Sequence, residues 1–330
     1  MKRKLTVVFM LFIIALPLFA GGQNEDTEAD EQASSSNRGD LDQQFSDENG
    51  DLVADEPAET IDPDVLFFTY TPLEDPAVYV DMFQPFLDHL EEVTGKEVRY
   101  FSAQSYAAQI EAMRSGRLHI AGISTGPTPF AVNLAGYVPF SIMGTADGNY
   151  GYRLQTITHE STDITSLDDL SGMTVAHTEE SSNSGNQAPR ALLPEEGIVP
   201  GEDYEVVYSG GHGPSILGVY NQDYEVAHIA SSVLDRMADR GEVEMEDLRV
   251  IYESQSFPTT SFGYVHNLDP ELKSQIEEAF LTFEFEGTPL GEEFSDVDEF
   301  IEITYQDAWA PIRRIQNYNG VEYATENISE

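Results

Sequence analysis

From about residue 61 the chain alternates short apolar or β-branched runs with stretches whose apolar residues recur every three to four positions. Val65-Leu66-Phe67-Phe68 predicts a buried strand, residues 80 to 94 a helix, and Val98-Arg99-Tyr100-Phe101 a second strand. Tyr106 to Arg114 reads as a helix, and Leu118 to Ile123 as another buried strand. A second series follows, with strands at Thr174-Val175-Ala176, Glu205 to Tyr208 and Glu225 to Ile229, and helices starting at Ser184, Gly213 and Ser231. Leu248 to Ile251 and Gly263-Tyr264-Val265 read as further strands, and residues 269 to 318 as helices. This rhythm predicts an α/β protein of mostly parallel sheets flanked by helices. Two such units with a returning C-terminal segment imply two lobes around a hinged cleft. Lobe 1 is expected at 61–160 and 261–330, and lobe 2 at 161–260. No repeat of 20 to 50 residues appears, which excludes a solenoid.

The ends follow other rules. Lys2, Arg3 and Lys4 precede an apolar run from Leu5 to Phe19, broken at Pro17 and closed by Ala20. A basic start, a short apolar stretch and a small residue describe an export signal over residues 1–20, not a membrane span. Residues 21–60 carry 13 acidic side chains, one Arg and few large apolar ones. Such a stretch buries too little surface to offset its ordering entropy and is expected to be a disordered acidic linker. The chain has no cysteine, hence no disulfide, thiolate chemistry or lipidated N-terminal Cys, and a soluble periplasmic monomer is expected.

Composition sharpens this picture. Asp and Glu number 60 against 16 Lys and Arg, a formal charge of −44, and beyond residue 4 only Lys96 and Lys273 are lysines. That excludes nucleic acid as a partner, because phosphate backbones require a basic surface. Molar salt, with a Debye length of roughly 3 Å, would screen such self-repulsion, so the acidity reads as halophilic adaptation. Hydrophobic residues at 40% still suffice for a large core.

Enzyme signatures are missing: there is no nucleophile elbow, phosphate loop, His-Glu-x-x-His or dinucleotide fingerprint. The seven histidines never pair at helical ligand spacing, and no calcium loop appears, so neither metal nor cofactor is expected. Three turns carry the candidate chemistry. Ser182-Asn183-Ser184-Gly185 lies between a strand and a helix, where free N–H groups and hydroxyls can take an oxyanion; the same residues also serve as an ordinary cap. In Ser209-Gly210-Gly211-His212, paired glycines admit a close ligand, and His212 either donates to an anion, with charge assistance at mild acidity, or holds the turn. Ser105-Tyr106, Ser124-Thr125-Gly126-Pro127 and Tyr150-Gly151-Tyr152 supply further neutral donors, or packing.

In this order the segments resemble the substrate-binding proteins of phosphate, phosphite and phosphonate ABC transporters. The matching pattern runs from Pro85-Phe86-Leu87 and Thr94-Gly95-Lys96 through Tyr106 to Met113, Leu118 to Ala121 and Gly151-Tyr152. It continues through Ser166 to Gly172, Ser182 to Gly185 with Pro189, and Ser209 to His212, and covers residues 65 to 318. The resemblance implies a two-lobed periplasmic binding protein of type II that closes on its ligand, an ABC permease as partner, and no enzymatic activity. It implies ligand binding by Ser182, Asn183, Ser184 and Gly185 with Tyr106, Tyr152 and His212, and Ser124 and Thr125 as further lining. Asn183 stands where the family's motif has Thr. Positions where aminophosphonate binders place carboxylates fall near Ser232 and Thr260, which favours a bare anion or a small phosphonate. A sulfonate or pyrimidine binder is the alternative on the same fold, and an exported hydrolase using Ser184 and His212 the alternative outside it.

Overall fold

The computed structural model describes residues 45–328 except Pro76, and only the backbone of Glu326. The expected signal peptide and residues 21–44 of the expected linker lie outside the described residues. Residues 45–60, assigned to the linker on composition, lie against the first lobe instead. The ring of Phe45 meets His266 edge-on at 4.8 Å, Ala54 is buried, and Leu52 and Val53 pack on the core. These few apolar side chains anchor a segment whose charge alone suggests disorder.

The chain opens with β1 (Val65–Tyr70), α1 (Ala77–Thr94), β2 (Glu97–Tyr100), α2 (Tyr106–Arg114), β3 (Ile120–Ile123), α3 (Thr128–Ala135) and β4 (Tyr137–Gly144). Strands β1 and β3 are largely buried, which is why their sequences read as apolar runs without alternation. In α1 the residues Tyr79, Met82, Phe83, Phe86, Leu87 and Leu90 recur at helical spacing and form the buried stripe. Phe86 meets Phe280 at 4.6 Å and Phe300 at 5.3 Å, so the first-lobe core joins residues from both ends of the chain.

The second lobe contains β5 (Tyr152–His159), β6 (Thr174–His177), a π-helical turn (Asn183–Gln187) continued by α4 (Ala188–Leu192), β7 (Glu205–Tyr208), α5 (His212–Tyr220), β8 (Val226–Ala230), α6 (Ser231–Asp239) and β9 (Leu248–Phe257). The chain then returns as β10 (Ser261–Val265), α7 (Pro270–Thr282), α8 (Pro289–Glu293), β11 (Glu299–Glu302), α9 (Tyr305–Ala308) and α10 (Ala310–Tyr318).

The first sheet has the order β11-β4-β10-β3-β1-β2, the second β7-β6-β8-β5-β9. Both are mixed. Pairs β1–β2, β1–β3, β6–β7 and β6–β8 are parallel, whereas β5 and β10, the first strands after each crossing between lobes, insert antiparallel beside β8 and β3. The expectation of mostly parallel sheets therefore holds only for their βαβ halves. The first crossing lies before β5, so residues 152–159 belong to lobe 2 and not to lobe 1. At that crossing Gly151 has φ +134°, and a β-carbon would sit 2.2 Å from Ser256 Oγ, so no other residue fits without displacement. Among the described residues no helix is long and apolar enough to cross a membrane.

Candidate ligand-binding cleft

Parallel strands carry the candidate residues to one place, because each ends at the cleft and hands the chain to a helix whose first N–H groups face it. β6 leads to Ser182 and the π-helical turn, β7 to His212 at the start of α5, and β3 to Ser124 and Thr125 before α3. Ser105 caps α2 by accepting from Ala108 N–H at 3.2 Å, which sets Tyr106 as its first residue. Gly126 of lobe 1 touches the Ser181–Asn183 backbone of lobe 2, so the lobes are closed on each other.

The side chains are arranged as donors. Ser182 Oγ accepts from Gly185 N–H at 3.2 Å and lies 3.4 Å from His212 Nε2. His212 Nδ1 accepts from Ala230 N–H at 3.1 Å, which fixes the tautomer with its proton on Nε2. Asn183 Nδ2 donates to Tyr152 Oη at 3.1 Å, and Thr125 and Ser184 also lie beside this phenol. Tyr106 Oη and Ser184 Oγ are buried without any hydrogen-bond partner, although Ser124 and Ser182 lie beside the Tyr106 phenol. Gly185 lies so close to Thr178 that a β-carbon would be 1.9 Å from its Oγ1. Of the nine expected residues, Ser124, Thr125, Tyr152 and His212 line the cleft cavity, whereas Tyr106, Ser182, Asn183, Ser184 and Gly185 are buried and do not.

Two expectations change. Burial, and secondarily the Arg236 charge, lower the His212 pKa to about 3, so the imidazole is neutral at mild acidity and gives no charge assistance there. Its Nδ1 is also oriented by a backbone amide and not by a carboxylate, which removes the third member a Ser/His hydrolase needs. Among the described residues no group of three or more His, Asp or Glu is placed to hold a metal.

A family model described as ABC transporter, phosphonate, periplasmic substrate-binding protein matches residues 68–309. The chain belongs to this family. It is 26% identical over 286 residues to the phosphate-import protein PhnD of Mycolicibacterium smegmatis, covering 80% of this chain and 86% of that one. It is 27% identical over 203 residues, 60% of each chain, to the phosphonates-binding periplasmic protein of Escherichia coli. The structure of PhnD1 from Prochlorococcus marinus in complex with methylphosphonate superposes with a TM-score of 0.70 at 14% identity, covering 78% of this chain and 99% of that one. The two mixed α/β lobes are those of a type II periplasmic binding protein, and the family is one of transport proteins, not enzymes.

The cleft holds a cavity of about 290 Å³ beside His212 and Tyr152. Ser124, Thr125, Ser232 and Thr260 line it as well, but so do residues that pattern reading missed: Tyr70, Phe262, Phe294 and Arg236. Arg236 lies on α6 of lobe 2, yet it is 7% exposed because Glu74 and Glu293 of lobe 1 close over it, at 3.2 and 3.4 Å. Arg240 pairs with the same two carboxylates, and Tyr79 Oη donates to Glu74 at 3.0 Å. Four charges thereby tie the lobes together beside the cavity. A lone Arg on an amphipathic helix gives no sequence signal of such burial, since its partners are far away in the chain.

Proposed function

We propose that this binding protein captures a tetrahedral phosphorus oxyanion, phosphate, phosphite or a phosphonate, and presents it to a membrane permease in the closed form. One observation carries the reading: Tyr106 Oη and Ser184 Oγ are buried without partners next to Tyr152, Ser182 and His212, a cluster of neutral hydroxyls and one imidazole N–H. Buried donors are ordinarily satisfied, and a polyvalent acceptor satisfies several at once. The N–H groups opening the turn at Asn183 add their dipoles, so the anion is held without a cation of its own. Asn183 in place of a hydroxyl residue holds Tyr152 and thereby aims its phenol. Phosphate import by the mycobacterial relative and methylphosphonate bound to the cyanobacterial one support the ligand class. Residues 1–20 act as export signal, residues 21–44 as tether, and the mature protein works as a monomer in salty surroundings.

Isothermal titration in molar NaCl with phosphate, phosphite, methylphosphonate and sulfate tests this. Heat with a phosphorus oxyanion that disappears in Ser184→Ala supports it. Binding of sulfate alone, or of none of the four by folded and ligand-free protein, would overturn it.

A further inference from the structure

Beneath the turn that carries Ser184 and Gly185, lobe 2 holds a buried polar chain. Thr156 Oγ1 of β5 meets His228 Nδ1 of β8 at 2.9 Å, and His228 Nε2 meets Tyr204 Oη at 2.9 Å. The same phenol meets His177 Nε2 of β6 at 3.0 Å, and His177 Nδ1 meets Asn186 Oδ1 at 2.8 Å. All five side chains are buried. Asn186 belongs to the same π-helical turn as Ser184 and Gly185, so the chain ends on the element that would hold the anion. Such turns are rare, and this one closes on a wide backbone bond, Gln187 N–H to Ser182 O at 2.9 Å.

The protons of this chain can be ordered. Asn186 Nδ2 donates to Glu180 O at 2.7 Å, and Asn186 Oδ1 accepts at 2.9 Å from Arg190 Nε, which can only donate. His177 Nδ1, facing that same oxygen, therefore carries a proton. Its Nε2 is then an acceptor, because the imidazole is neutral: burial, and secondarily the Arg190 charge of α4, disfavours a second proton. Tyr204 gives its O–H to His177 and accepts from His228 Nε2–H, and His228 Nδ1 accepts the Thr156 O–H. Burial and the neighbouring His177 keep His228 neutral too. Tyr208 of β7 faces His177 edge-on at 6.4 Å. A proton added to His177 Nε2 would leave the Tyr204 hydroxyl between two N–H groups, with no acceptor for its own proton.

We propose that Tyr204 and His177 are positioning residues of the oxyanion site, which hold its turn through Asn186 and let it go when the chain takes up a proton. This rests on the oxyanion reading and adds to it a control by acid. Neither residue touches the anion; both act by fixing the amide that staples the turn to Glu180 and Arg190.

Titration of wild type and Tyr204→Phe with methylphosphonate at pH 7.5 and pH 5 tests this, since the ratio of the two affinities cancels the ligand's own titration. Tyr204→Phe is expected to bind at least threefold more weakly at pH 7.5. At pH 5 the gap widens at least a further tenfold, because His177, freed from the phenol, takes a proton. In Tyr204→Phe/His177→Gln the widening disappears. Nitrogen NMR of wild type supplies a measurement that needs no variant: His177 is expected protonated at Nδ1 and His228 at Nε2, with the His177 signals shifting when methylphosphonate is added. A loss in Tyr204→Phe that is equal at both pH values, wild-type affinity at both, or both imidazoles protonated at the same nitrogen would overturn the proposal while leaving the oxyanion site standing. No binding of methylphosphonate, phosphate or phosphite by wild type overturns both.

Discussion

Gly126 of the first lobe lies against Asn183 of the second, so closely that a β-carbon on the glycine would sit 2.5 Å from the asparagine nitrogen and 2.0 Å from Ser181 O. Both contacts are backbone, which cannot swing aside. Gly126→Ala is therefore expected to block closure while leaving each lobe folded. Affinity for the anion should drop at least tenfold, with the far-ultraviolet circular dichroism unchanged. Wild-type affinity in this variant would show that the ligand does not need this contact.

The unpartnered hydroxyls give a second test with opposite signs for binding and stability. Tyr106→Phe and Ser184→Ala should each weaken anion binding by about 1–3 kcal/mol, roughly 5- to 150-fold. Without ligand, neither should lower the melting temperature, because each removes a buried hydroxyl that has nothing to bond. A drop in melting temperature with unchanged affinity would make them structural.

Acid stability follows from three buried imidazoles. His177 bonds Tyr204 Oη at 3.0 Å and Asn186 Oδ1 at 2.8 Å, and His228 bonds the same tyrosine at 2.9 Å. Burial lowers the pKa of His177 and His212 to about 3 and that of His228 well below its ordinary value. The unfolded chain takes protons near pH 6.5 and the native one does not. The stability they confer is thus complete above pH 6.5 and is lost as pH falls toward 3. Each contributes a slope of about 1.4 kcal/mol per pH unit in that window. Urea unfolding of wild type and His228→Gln between pH 6.5 and 4.5 checks it, the variant being expected to lose one such slope.

The charge cluster at the cleft predicts a coupling between closure and electrostatics. Glu74→Gln leaves Arg236 with Glu293 alone and Arg240 with Glu293 and Glu242, and breaking one partner of a buried cluster costs about 3–5 kcal/mol. That cost falls on the closed form, so the variant should bind the anion far more weakly than wild type in calorimetry, while urea unfolding shows a smaller loss. Equal affinity would exclude the cluster from closure.

Much of this architecture is legible in the pattern of the chain, and the exceptions have physical causes. β1, α2 and β3 follow from apolar runs and helical spacing, and the turns at Ser182 and His212 stand out because Ser, Asn and Gly cluster where strands end. β11 falls inside a stretch read as helix, because Glu299-Phe300-Ile301-Glu302 has no strand signature of its own. Its pairing with β4 at the sheet edge makes it a strand. Residues 45–60 read as disordered since charge outweighs the four apolar contacts that hold them. Arg236 escaped notice because its burial depends on Glu74 and Glu293, which only the fold brings near.

The C-terminal helix α10 gives closure an outward expression. Gln316 donates to Gly126 O of the first lobe at 2.8 Å, while Asn319, just past the helix end, donates to Gln187 O of the second at 2.8 Å. None of its residues lines the cavity. Any separation of Gly126 from Gln187 must break one of these bonds, so opening the cleft would free the end of the chain from one lobe while the other keeps hold of it.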